Sequence, residues 1–211
     1  AAHCNRGGGK TDATVCLALP TWTPRLLRPT HPKAATTRPP PTTRPERLRF
    51  AFASCQHFEQ GLYAAYEAMA ADELDVVLHL GDYIYEYGGP GSYGMDSKVA
   101  YFRPHDPPHE CESLEDYRRR HAQYKTDPML QAAHAKAPWI VVWDDHETAN
   151  DSFKDGAQNH TPIDEGPWNE RKARAIKAYF EWMPIREPAD GGFAINRTFH
   201  FGDLVSLFML E

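Results

Sequence analysis

The sequence "DVVLHLGDYIYEY" at 75–87 contains a short apolar run that ends at a glycine and an aspartate. An apolar run of this length is typical of a parallel strand that is buried on both faces. The polar residues after it then lie at the carboxyl edge of a sheet, where the loops of α/β proteins bind ligands. We therefore predict an α/β fold with a candidate site at this edge.

The neighbouring segments alternate between strand and helix patterns, as expected for an α/β domain. Residues 61–73 are alanine-rich, with Leu62, Tyr66 and Met69 at helical spacing, and 88–112 is predicted to be a long loop. Ser113 and Asp116 are spaced as a capping box. The predicted strands are 48–55, 75–82 and the apolar start of 138–147, the predicted helices are 61–73, 113–124, 127–137 and 169–183, and a hairpin is predicted around Gly202 and Asp203.

The first 46 residues differ from the rest in composition. Residues 20–46 are rich in proline, threonine and arginine and offer little apolar surface to offset the entropy of ordering. We predict that 1–46 is a disordered or unrelated leader, with a proline-rich ligand for an SH3-like domain as the alternative. Residues 47–211 are predicted to form the folded domain.

Composition limits the possible partners of this 211-residue chain. The formal charge of -6 is spread without long acidic or basic blocks, which argues against a specific nucleic-acid partner. No apolar run reaches the roughly 18 residues of a membrane span, and no signal peptide is visible at the start. The four cysteines have neither CxxC nor zinc-finger spacing.

Three predicted strand ends carry residues that packing does not explain. The first ends in "SCQ" at 54–56, the second in Asp82 with Tyr85, and the third in "DDHE" at 144–147 with Asn150 nearby. Buried carboxylates without partners would cost several kcal/mol, which a bound cation would offset. Oxygen ligands favour ferric iron, calcium, magnesium or manganese, whereas a thiolate favours iron or zinc. Two cations would suit hydrolysis of a phosphate ester.

Three segments, in this order and spacing, resemble the PhoD-like alkaline phosphatases, a branch of the metallophosphatases related to purple acid phosphatases. They are "SCQHFEQGLYAAYEAMAADELDVVLHLGDYIYEYG" (54–88), "DYRRRHAQYKTDPMLQAAHAKAPWIVVWDDHETAND" (116–151) and "YFEWMPIR" (179–186). The resemblance implies a two-sheet sandwich flanked by helices, incomplete in this chain. It also implies hydrolysis of small-molecule phosphate mono- and diesters by a metal-activated hydroxide, in a parent protein that is secreted or periplasmic and monomeric when complete.

The same resemblance implies an iron centre. Asp82 matches the aspartate that bridges two metals, Tyr85 the tyrosinate bound to Fe3+, and Cys55 the thiolate on the same iron. The alternatives are a small buried cysteine and a core tyrosine. Tyr83 and Tyr87 are interpreted as packing residues.

A second centre, occupied by Ca2+, is implied for Asp145 and Asn150. Asp145 and His146 take the place of the Asn-His pair in the wider superfamily's GNHE motif. His146 would donate a hydrogen bond or a proton to the phosphate, so that His146 and Asp145 are the expected catalytic residues. Asp144 is expected to orient these groups.

The resemblance implies further aspartate and histidine ligands beyond Glu211. We therefore expect residues 1–211 by themselves to retain metals weakly and to have little or no activity. The alternative is a non-catalytic fragment or interaction module.

Several polar residues are interpreted as structural or solvated. His79 lies in an apolar run and is expected to be structural. The basic segment 117–125 is expected to present an exposed charged face, with attraction of an anionic substrate as the alternative. Loop histidines expected to be solvated, with the rim of the site as the alternative, are His57, His105 and His109.

Overall fold

The computed structural model describes residues 45–89, 100, 102–189 and 191–211. The predicted leader therefore lies outside the described residues, except for its last two positions. The elements in chain order are β1 (Phe50–Ala53), α1 (Ala64–Ala71), β2 (Val76–Leu80), α2 (Leu114–Tyr124), α3 (Pro128–Lys136), β3 (Trp139–Val142), α4 (Pro162–Glu165), α5 (Trp168–Trp182), β4 (Arg197–Phe201) and β5 (Val205–Met209).

A parallel sheet of three strands, in the order β1-β2-β3, is the centre of the fold. Phe52 of β1 is paired with Leu78 of β2, which is paired with Ile140 of β3. The prediction that the strand at 75–82 is buried on both faces is wrong at two positions, since Asp75 is exposed and Leu80 is 44% exposed while the four strand residues between them are buried. All three strands point their carboxyl ends the same way, so the loops after them meet at one edge.

Helices α1 and α3 cover one face of this sheet. The Trp139 ring of β3 lies 6.2 Å from that of Tyr66 on α1 and 4.2 Å from that of His134 on α3. His79 is fully buried on this face, as expected for a structural histidine. Leu62 was expected on the apolar side of α1 but precedes the helix and is 54% exposed.

The predicted start signals of α2 and α3 are confirmed. Ser113 Oγ accepts the N–H of Asp116, whose carboxylate accepts the N–H of Ser113 in return. Asp127 caps α3 by accepting the N–H groups of Met129 and Leu130, both at 2.9 Å.

The expectation of an exposed basic face on α2 is wrong for the second half of its basic run. Arg119 is exposed and pairs with Asp106, but Arg120 and His121 are completely buried. The guanidinium of Arg120 thus packs into the loop region after β2.

The last elements are α5 and a hairpin. Ile176, Tyr179 and Met183 on the predicted apolar side of α5 are buried. Strands β4 and β5 are antiparallel, with Phe201 paired to Val205, so the turn also includes Leu204, which was expected to belong to the strand. The short helix α4 was not predicted.

None of the helices within the described residues is long and apolar enough to cross a membrane.

Candidate metal centre

The loops after β1 and β2 are joined by backbone hydrogen bonds. Cys55 N–H donates to Gly81 O and Gln56 N–H donates to Asp82 O, each over 3.1 Å. The Gln56 amide nitrogen also donates to Tyr83 O at 2.7 Å. These bonds place Cys55 beside Asp82, although the two residues come from different strands.

Two of the predicted metal ligands have left-handed backbone conformations. Cys55 has φ 57° and Asp82 has φ 54°, a region that residues other than glycine seldom adopt. Such conformations cost of order 1–3 kcal/mol each and are concentrated at functional sites. The hydrogen bonds between the two loops hold both residues in place.

Gly81 allows the ends of β2 and β3 to approach each other closely. Its φ is +101°, and a Cβ added there would lie 2.4 Å from Asp144 Cβ and 2.6 Å from Asp144 N. A side chain at this position would push the loop that carries Asp145 away from the loop that carries Asp82.

The structure brings Asp82, Asp145 and His146 together. Each offers a ligand atom within 4.8 Å of the others, and this arrangement is suitable for a cation. Asp82 is buried, and its Oδ1 has no hydrogen-bond partner within the described residues. Burial raises the pKa of the Asp82 carboxyl, which a bound cation would reverse by favouring the charged form.

Tyr85 belongs to the same cluster. Its hydroxyl donates to Asp82 Oδ2 over 2.9 Å, and its ring lies between the imidazoles of His57 and His146, with centroids 4.3 and 4.2 Å away. Burial, together with the nearby Asp82 carboxylate and Cys55 thiol, raises the pKa of Tyr85 well above its ordinary value. A highly charged cation would be needed to form the tyrosinate.

The remaining predicted ligands lie around this cluster. Cys55 is partly buried. Asp145 accepts the N–H of Asp151. The Asn150 side chain donates to Gln158 at 2.8 Å, so in this structure its amide is engaged with a neighbouring loop.

Glu147 is a site residue that sequence reasoning missed. Its carboxylate is buried and accepts the backbone N–H groups of Asp82, Tyr83 and Asp144. Burial and the nearby Asp82 charge raise the pKa of Glu147. Asp144 is exposed, and its expected orienting role stays a prediction. The sequence signal that pointed to Glu147 was its position at the end of "DDHE" (144–147).

Glu86 was also missed, although it lies within the opening stretch. Its buried carboxylate is 2.8 Å from Nδ1 of His146. Burial acts to lower the pKa of His146, but the hydrogen bond and charge of Glu86, with the charges of Asp82 and Asp145, raise it to about 9.

A third missed residue is Arg120 of α2. Its buried guanidinium donates to the backbone oxygens of Tyr85, Tyr87 and Pro107. The Arg120 side chain therefore holds the loop that carries Tyr85.

Two of the loop histidines are not solvated as expected. His57 and His105 are 8% and 2% exposed, and their rings stack with centroids 5.1 Å apart. Burial lowers the pKa of His57 to about 3, so its ring is neutral beside Tyr85. His109 is exposed, as expected.

Fold and site together define an α/β protein with a candidate metal centre at the carboxyl edge of a parallel sheet. A family model described as PhoD-like phosphatase matches residues 50–211, and the chain belongs to this family. It is 43% identical over 178 residues to alkaline phosphatase D of Bacillus subtilis (strain 168). The aligned region covers 83% of this chain and 30% of that protein.

A solved structure titled "Structure of PhoD" superposes with a TM-score of 0.67 at 45% identity. The match covers 75% of this chain and 30% of the solved chain. This chain thus spans under a third of the length of the relatives it matches. The α/β fold expected from the resemblance, with part of a two-sheet arrangement, is confirmed.

Proposed function

We propose that the protein hydrolyses phosphate mono- and diesters of small molecules with the help of bound cations. The observation that carries this proposal is the convergence of Asp82, Asp145 and His146, whose ligand atoms lie within 4.8 Å of one another. Membership of the PhoD-like phosphatase family supports the reaction class.

The donor set fits two kinds of cation. Cys55, Asp82 and Tyr85 offer a thiolate and hard oxygens, a combination that suits Fe3+, while Asp145 and Asn150 offer the oxygens that Ca2+ prefers. Asp82 would serve both, because one of its oxygens is buried and has no hydrogen-bond partner among the residues that the structure describes. When bound, such cations polarise a phosphoryl oxygen and lower the pKa of a water molecule.

His146 would act on the phosphate directly. Against the effect of burial, the hydrogen bond and charge of Glu86 raise the pKa of His146 to about 9 in the metal-free protein. A protonated imidazole beside the carboxylates can donate a hydrogen bond to a phosphoryl oxygen and a proton to the departing alkoxide. Its ring also packs against Tyr85, which limits its orientation.

Turnover and metal content measured on the same protein samples test this proposal. Iron and calcium are quantified, and hydrolysis of p-nitrophenyl phosphate and its bis ester is followed before and after chelation. Residues 1–211 by themselves are expected to show little turnover; that residual turnover should fall with metal removal, return on readdition of both metals, and be lost in Asp82→Asn. The exposed Asp155→Asn is the matched control. Turnover that survives both chelation and Asp82→Asn would refute the proposal.

A second candidate is a non-catalytic module that packs against another protein segment. The face of the sheet opposite α1 and α3 favours it, because Phe50 and Phe52 are 50% and 55% exposed there and Leu80 is on the same face. Light scattering distinguishes the candidates, since this module should self-associate and a self-contained enzyme should not.

A further inference from the structure

The two carboxylate oxygens of Glu86 have different partners. Oε2 lies 2.8 Å from Nδ1 of His146. Oε1 accepts the backbone N–H of Asn150 and the side-chain amide of Asn159, both at 2.7 Å. Glu86 is completely buried, so water does not compete for these bonds.

A carboxylate can only accept hydrogen bonds, and this limits the imidazole that faces it. Nδ1 of His146 must carry a proton to bond with Glu86, in the neutral ring as well as in the imidazolium. Nε2 is then the nitrogen left to act on a ligand. A carboxylate behind a histidine is a common way of fixing both tautomer and ring orientation.

We propose that Glu86 is the positioning residue of the site, which holds the ring proton of His146 on Nδ1 while its other oxygen orders the backbone at Asn150. The use of Nε2 on a phosphate ester rests on the proposed function. The location of the proton does not, because it follows from the contacts of Glu86.

Replacement of Glu86 by glutamine separates this role from simple packing. The backbone N–H of Asn150 cannot become an acceptor, so the glutamine oxygen must remain on its side. The new NH2 group then faces Nδ1 of His146. In the neutral ring Nδ1 then has to become the acceptor, and the single ring proton moves to Nε2.

Ring 1H–15N correlation spectra of the histidine-labelled, metal-free full chain test the inference, recorded at a pH high enough for the His146 ring to be neutral and to carry a single proton. We expect a proton on Nδ1 of His146 in the wild type and its loss from Nδ1 in Glu86→Gln. Glu59→Gln is the matched control, since Glu59 is also fully buried and accepts a backbone N–H from His105. It should leave the His146 signals as in the wild type.

Either of two results would overturn the inference: an unprotonated Nδ1 in the wild type, or a Glu86→Gln variant that folds and keeps its Nδ1 proton. The wild-type spectrum decides the matter if the variant fails to fold. Because the spectra need neither metal nor turnover, turnover that survives chelation and Asp82→Asn, found together with a protonated Nδ1, would refute the proposed function and leave the role of Glu86 standing.

Discussion

The carboxylate of Glu147 accepts the backbone N–H of Asp82 at 3.1 Å, across two loops that follow different strands. The same carboxylate accepts the N–H groups of Tyr83 and Asp144. One buried side chain thus satisfies three backbone donors and maintains the left-handed conformation of Asp82. The side chain of Glu147, rather than a backbone carbonyl, thus holds the loops after β2 and β3 together.

Glu147→Gln should therefore lower the free energy of unfolding. The amide NH2 replaces one acceptor and leaves at least one buried N–H unpaired, a loss of about 1–3 kcal/mol. Urea denaturation at pH 7 measures the change. Glu67→Gln, at an exposed position on α1, should stay within about 0.5 kcal/mol of the wild type. Equal effects of the two substitutions would contradict the clamping role.

Gly81→Ala should destabilise the fold more than Gly166→Ala. Both glycines have positive φ, +101° and +82°, so both substitutions introduce backbone strain. A Cβ at Gly81 also overlaps Asp144, whereas one at Gly166 meets nothing within 4 Å. We expect the overlap to add about 1–3 kcal/mol in urea denaturation. It should also weaken cation binding, measured by calorimetry, because it separates Asp82 from Asp145. Similar free energies of unfolding for the two variants would show that the loops rearrange around the added Cβ without loss of stability.

The predicted part of the site follows from local pattern and one rule of sheet geometry. Asp82 and Asp145 each follow an apolar run, and parallel strands bring their carboxyl ends to one edge. The family resemblance added Tyr85, and the hydrogen bond from its hydroxyl to Asp82 agrees with a place in the site.

The unpredicted part consists of polar groups whose burial depends on distant partners. A glutamate in a loop and an arginine on a helix are usually solvated, so Glu86 and Arg120 gave no local signal. Their partners come from elsewhere: Glu86 binds His146, 60 residues away, and Arg120 binds the backbone of Tyr85, 35 residues away. Sequence patterns report which face an element buries, and do not report which loop will cover it.

Acid should destabilise the protein through its buried histidines, and His79 provides the cleanest test. Burial lowers its folded-state pKa to about 3, below the ordinary value of 6.5. The unfolded chain therefore binds the proton first: the contribution to stability is complete above pH 6.5 and is lost as the pH falls toward 3. Between pH 7.5 and 5 the loss is about 2 kcal/mol, at roughly 1.4 kcal/mol per pH unit below 6.5.

His79→Leu should remove that part of the pH dependence. Both ring nitrogens lack hydrogen-bond partners in the described structure, so the substitution breaks no such bond. The difference between wild type and variant in urea denaturation should shift by about 2 kcal/mol between pH 7.5 and 5. Met69→Leu, a buried change without a titrating group, should give the same difference at both pH values. A constant difference for His79→Leu would mean that the pKa of the ring is the same in the folded and unfolded states.

Tyr85→Phe should remove a spectroscopic signature of the proposed iron centre. A tyrosinate bound to Fe3+ gives a charge-transfer band in the visible, and Tyr85 is the tyrosine whose oxygen contacts Asp82, at 2.9 Å. Titration of the metal-free protein with Fe3+ should produce the band in the wild type and not in the variant. Loss of the hydroxyl bond to Asp82 should also cost about 1 kcal/mol of stability.

Tyr83→Phe is the control for this band. The Tyr83 hydroxyl accepts from Lys125 and lies 2.9 Å from His134, on the side of α3 away from Asp82. Its removal should destabilise the fold and leave the band in place. If the band survives Tyr85→Phe and disappears in Tyr83→Phe, the iron binds on the Tyr83 side of the loop. Asp82 would then be excluded as its bridging ligand.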